Sequence, residues 1–199
     1  IRELSQNFSH LYISTGATFD DEVSYAASIL SNSAKSFSLL QCTTIYPTPI
    51  NLLNLTRMKF LKSLLNDKNE IGFSDHSSSL KQPNLASMLA IYHGAKIIER
   101  HFSILPKEDT KDGPVSINEK NLSELVDFSL LNKKEQLKKL NSLGFNPDDF
   151  YELSYKNKGL SKEELLNRDY YKGRFATVIS KNKNIPERVI LNNDEIPID

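Results

Sequence analysis

The feature that most restricts this chain is an order that recurs four times: a short apolar run, a polar loop, then a segment with helical apolar spacing. The runs start near residues 11, 37, 71 and 96, so successive starts lie 26, 34 and 25 residues apart. That matches the unit length of a fold in which about 250 residues make eight βα repeats. Strands separated by helices lie parallel, and right-handed crossovers leave two architectures, a closed (β/α)8 barrel or an open doubly wound sheet. No Gly-x-Gly-x-x-Gly turn follows any of the runs, which disfavours the dinucleotide-binding form of the second.

Within the first unit, residues 11–14 read as a strand that ends at Thr15-Gly16. Thr18 or Asp20 is the expected cap of the next helix, Asp21 and Glu22 suit its positive first turn, and Val23, Ala26, Ala27 and Leu30 share one face. Residues 37–41 form the second strand, Pro47 and Pro49 keep the loop over 42–49 extended, and one long helix is expected over 51–65. The third unit has a strand at 71–74, a loop at 75–83 and a helix at 85–93 closed by Gly94, and residues 96–99 form the fourth strand.

Beyond Gly113 the alternation stops. A single helix is expected over 121–140, with Leu122, Leu125, Val126 and Leu130 on one face. Ser161 followed by Glu164 is a capping-box spacing that heads a short helix over 161–167, while 174–180 and 189–191 carry strand-like runs. The expected division is therefore a domain of four βα units at residues 1–118, half the number in a closed barrel, and a helical extension with a linker-like tail at 119–199.

Composition narrows the function classes. With 25 Lys+Arg against 25 Asp+Glu, the neutral total gives no general electrostatic case for nucleic acid or an anionic membrane. Apolar runs of a few residues fall far short of the roughly 20 needed for a membrane span. The single cysteine, Cys42, excludes an internal disulfide framework and fits a reducing cytoplasm, with the thiol expected buried and inert. The chain opens on Ile1-Arg2-Glu3-Leu4, without a Met or a basic-then-apolar leader, and reads as starting part-way through something longer.

In a parallel barrel the reactive groups gather at the C-terminal ends of the strands. Here those ends carry Ser14-Thr15, Thr43-Thr44 with Tyr46 close behind, Ser74-Asp75-His76 and Glu99-Arg100-His101. His76 and His101 end consecutive strands and so fall on neighbouring positions of one rim. Two neutral imidazoles with a nearby carboxylate suit a divalent ion such as Mn²⁺ or Zn²⁺; the other reading is a pair of hydrogen-bonded loop residues. The hydroxyls of Ser14, Thr15, Thr43, Thr44 and Ser74 could bind phosphate or carboxylate oxygens, or simply close turns. His93 reads as a helix-end residue, and His10 lies at the opposite rim.

Taken together, Ile13-Ser14-Thr15-Gly16, the run from Gln41-Cys42-Thr43-Thr44 through Tyr46-Pro47-Thr48-Pro49, Gly72-Phe73-Ser74-Asp75-His76 and Ile98-Glu99-Arg100-His101-Phe102 resemble the sialic acid synthase family. The resemblance runs from about residue 5 to 115. It implies an α/β fold, the second half of a (β/α)8 TIM barrel, and a cytoplasmic transferase that condenses phosphoenolpyruvate with an N-acyl hexosamine into a nonulosonic acid. It also implies His76 and His101 as metal ligands, with Mn²⁺ the expected ion, Ser14, Thr44, Tyr46 and Ser74 at the substrates, and a homodimer as one expected assembly.

Departures accompany the match. Thr44 stands where the family usually has Asn, and Gly113-Pro114-Val115 where it often has Gly-Pro-Asp, leaving Asp112 as a substitute. The family's catalytic glutamate and phosphate-binding lysines lie on earlier barrel strands, so these 199 residues alone are expected to be inactive. Two other readings stand beside it: a non-catalytic half-barrel acting as an interaction module, and an unrelated metal-dependent aldolase barrel.

Overall fold

A computed structural model of the chain describes residues 1–33, 36–149, 151 and 159–175. The four apolar runs form β1 (His10–Ser14), β2 (Ser36–Cys42), β3 (Ile71–Asp75) and β4 (Ile97–Arg100). All pair in parallel, in the order β1-β2-β3-β4. Strand order that simply follows chain order, with a helix in each crossover, is that of a half-barrel; in a doubly wound sheet the order reverses at a switch point, where the later strands pass to the other side of the first.

Side chains alternate across this sheet. Leu11, Ile13, Phe37, Leu39, Ile71, Phe73 and Ile98 join the hydrophobic core on the helix-covered side. Tyr12, Ser14, Leu40, Ser74, Ile97 and Glu99 have the opposite parity; on that face Tyr12 of β1 is 66% exposed, whereas Leu40 and Ser74 of the middle strands are buried. The helices α1 (Arg2–Asn7), α2 (Asp20–Asn32), α3 (Arg57–Ser63) and α4 (Leu85–Tyr92) accompany the strands. α5 (Glu119–Leu130) and α6 (Lys133–Ser142) pack on α4 and place Leu125, Phe128 and Leu140 in the same core. α7 (Lys162–Phe175) follows. Among the described residues no helix is long and apolar enough to cross a membrane.

The structure corrects four expectations. The cap of α2 is Phe19, not Thr18 or Asp20: the Phe19 N–H donates to Glu22 Oε2 at 2.9 Å, while the Thr18 hydroxyl turns back to the Gly16 carbonyl at 2.8 Å. The helix expected over 51–65 is a 3-10 turn at Ile50–Leu52 followed by α3, because Asn54 adopts φ +51 and interrupts the winding. The helix expected over 121–140 is two helices. Finally, α7 begins at the Ser161–Glu164 box as expected but runs on to Phe175, so Arg174 and Phe175 are helical; residues 176–180 and 189–191 lie outside the described residues. Gly94 does close α4, at φ +103, a conformation that suits glycine.

The break between α5 and α6 has a local cause. The Asn132 side chain accepts from the Glu135 N–H at 3.1 Å, and Glu135 Oε2 accepts from the Asn132 N–H at 3.0 Å, a reciprocal cap that starts a new helix. Replacing Asn132 by Ala should lower stability by about 1 kcal/mol in urea unfolding.

Among the described residues β1 and β4 each pair with a strand on one side only. Beside β4 lies an open groove whose walls include Ile98, Phe102, Ile117, Leu122 and Val126 together with Lys96 and Lys133. Parallel strands are ordinarily buried on both faces and at their edges, so this margin is suited to receive further chain.

Candidate active site

The C-terminal ends of β2, β3 and β4 bring Tyr46, His76 and His101 together. The Tyr46 and His76 rings are 4.1 Å apart, His76 and His101 5.3 Å, and Tyr46 and His101 6.0 Å. The Thr43 carbonyl lies 3.4 Å from His76 Nδ1. A carbonyl only accepts, so the imidazole proton is assigned to Nδ1 and the lone pair to Nε2. Nε2 in turn accepts from the Tyr46 hydroxyl at 3.0 Å. Burial pushes the His76 imidazole below its ordinary range; the Thr43 carbonyl opposes this, His101 adds to it, and Glu99 and Asp75 oppose it. His76 is thereby held neutral, the form that coordinates metal.

Ser74 sits one step below on the same face, buried, with its hydroxyl donating to Glu99 Oε2. Glu99 is the group that reading of strand ends passed over as a site residue. Its parity with Ser74 and His101, at alternate positions along adjacent strands, is the signal that finds it. Asp112 does reach this rim, with Oδ2 3.6 Å from His101 Nδ1.

The remaining hydroxyls divide. Thr15 donates to the Leu40 carbonyl at 2.9 Å and Thr43 to the Leu52 carbonyl at 2.9 Å, so both hold loops. Ser14 is exposed at the end of the edge strand β1. Thr44 lies against the loop that follows β1: a Cβ on Gly16 would stand 2.3 Å from Thr44 Oγ1 and 2.7 Å from Cys42 Sγ, so only glycine lets the two loops meet. Cys42 is buried, and burial pushes its thiol up to about 11, which leaves it protonated and unreactive at neutral pH.

Behind the rim, on the helix side, Asp75 and Arg100 form an ion pair with side chains 0% and 4% exposed. Asp75 also accepts from the Ser77 N–H at 2.7 Å and the Ser87 hydroxyl at 2.5 Å, while Arg100 donates to the Ser77 hydroxyl and carbonyl at 3.0 and 3.2 Å. Each partner directly precedes a rim histidine in sequence, so the pair fixes the ends of β3 and β4 that present them.

Two imidazoles with adjacent rings, one with its proton turned away to a carbonyl, fit part of a divalent-ion site. Among the described residues no group of three or more His, Cys, Asp or Glu gathers around a common point. The fit is thus for two protein donors, with other positions open to water, substrate or further chain.

This geometry can be set beside known proteins. The NeuB family model matches residues 1–140. The chain belongs to the NeuB family. Relatives include N,N'-diacetyllegionaminic acid synthase of Campylobacter jejuni, 31% identical over 63% of this chain and 36% of that protein. Pseudaminic acid synthase of the same species is 27% identical over 87% of this chain and 47% of its own length. Among solved structures, N-acetylneuraminic acid (sialic acid) synthetase from Leptospira borgpetersenii, crystallised with citrate, superposes with a TM-score of 0.58 at 25% identity, covering 85% of this chain and 51% of that one. This NeuB-family chain thus spans between a third and about half the length of these proteins.

Proposed function

We propose that the rim is half of the active site of a condensing synthase, completed by further strands into a (β/α)8 barrel. In this reading phosphoenolpyruvate and an N-acyl hexosamine are joined into a nonulosonic acid. A bond forms between C3 of phosphoenolpyruvate and the aldehyde carbon of the open-chain sugar; water adds at C2, and inorganic phosphate leaves. The observation that carries the proposal is the convergence of Tyr46, His76 and His101 at adjacent strand ends in a NeuB-family chain.

His76 and His101 would hold a divalent ion, Mn²⁺ by expectation, which when bound supplies Lewis-acid polarisation of the aldehyde oxygen. The chain's own groups do the rest of the work at this end. The Thr43 carbonyl keeps the His76 proton on Nδ1, and the Tyr46 hydroxyl, 46% exposed as a residue, can turn from Nε2 to an incoming oxygen. Ser14, Thr44 and Ser74 offer hydroxyls to carboxylate or phosphate oxygens, orienting the donor for attack. Glu99 holds the Ser74 hydroxyl in place.

The test is a protein that carries this chain together with the preceding strands of a NeuB-family barrel. It should release inorganic phosphate in step with nonulosonic acid only when both substrates are present, and Tyr46→Phe should slow that release by about tenfold or more. The 199 residues alone should release none. No product from the completed barrel would favour an interaction module instead. The open edges of β1 and β4 favour that second reading and would equally suit association with a second copy, which sedimentation of the chain would reveal.

A further inference from the structure

Helix α7 reaches this rim from beyond the residues that the family model matches. It grips Thr44 by both of its backbone groups. The Thr44 N–H donates to Glu164 Oε1 at 3.3 Å, and Asn167 Nδ2 donates to the Thr44 carbonyl at 2.5 Å. Glu164 and Asn167 are three residues apart and so share one face of α7. Glu164 is only 6% exposed, and a buried carboxylate is costly unless its oxygens are used; the second accepts from the Ser161 N–H at 3.1 Å.

One turn on, Arg168 anchors the same helix to the neighbouring loop. It donates to both carboxylate oxygens of Glu22 at 2.8 and 2.7 Å and to the Ala17 carbonyl at 2.6 Å, and it lies over the Phe19 ring. α7 therefore ties the loops that follow β1 and β2, and the point it holds is two residues from Tyr46.

We propose that Glu164 and Asn167 are positioning residues of the rim: by fixing the Thr44 backbone they set where the Tyr46 hydroxyl stands relative to His76. The proposal builds on the reading of this rim as a substrate site, yet its signature is structural and does not require turnover.

The experiment is NMR on the 199-residue chain, comparing wild type with Glu164→Ala, Asn167→Asp and the control Ser161→Ala. Ser161→Ala weakens the start of α7, whose Glu164 N–H bonds the Ser161 hydroxyl at 3.1 Å, but leaves both contacts to Thr44. Asn167→Asp is nearly isosteric and sets one acceptor against another. Both rim variants should speed hydrogen exchange of the Thr44 amide about fivefold or more and weaken the Overhauser contacts between the Tyr46 and His76 rings, with Ser161→Ala close to wild type. Unchanged ring contacts in Asn167→Asp, which preserves helix shape even where Glu164→Ala fails to fold, would overturn the proposal. So would an equal loss in Ser161→Ala, which would make α7 a packing element only. Weakened contacts alongside a completed barrel that makes no product would uphold the positioning role and remove the proposed reaction.

Discussion

Replacing Arg100 by Met should cost the fold about 3–5 kcal/mol, the penalty for leaving a buried carboxylate without its partner. Asp75 is wholly buried, and its other contacts, to the Ser77 N–H and the Ser87 hydroxyl, are neutral and do not balance a full charge. The urea midpoint of Arg100→Met should fall accordingly, and Asp75→Asn combined with Arg100→Met should be less damaged than Arg100→Met alone, because the orphaned charge is gone. A loss below about 1 kcal/mol would mean that the pair is solvated and behaves as a surface ion pair. The same substitution loosens the ends of β3 and β4, so it should also disturb the spacing of His76 and His101.

The sheet was legible in the sequence because burial on the helix side leaves a simple record. Leu11 and Ile13, Phe37 and Leu39, Ile71 and Phe73 stand at alternate positions in short runs, and the spacing of the runs left room for a helix in each crossover. Helix breaks were less legible. Apolar spacing continues across Asn54 and across Leu131-Asn132, and periodicity alone does not register a change of backbone direction. The second break did carry a local signal, Asn132 followed three residues later by Glu135, which is a capping-box spacing. α1, six residues long, is too short to show a period at all.

At the site, His76, His101, Tyr46 and Ser74 stood out because strand ends in a parallel barrel are where reactive groups collect. The roles of their neighbours did not. Asp75 and Arg100 are also strand-end residues, but strand parity turns them to the helix side, where they meet each other and not the rim. Glu164 and Asn167 meet Thr44 across more than 100 residues of sequence, through polar contacts that no periodic pattern announces.

The claim on which the functional account turns is that His76 and His101 act as a pair. Each imidazole must be neutral to coordinate, and burial already holds His76 below the ordinary range near ~6.5, so its coordination should persist as pH falls through values that protonate an exposed histidine. The pair stands on strand ends at the rim, so Ala at either position should leave the fold largely intact. The direct measurement is calorimetric titration of Mn²⁺, with Zn²⁺ alongside, into wild type, His76→Ala and His101→Ala, each in a protein that completes the barrel. Binding by wild type and a loss of about 100-fold or more in each variant is the predicted result. Equal binding by all three proteins would contradict it.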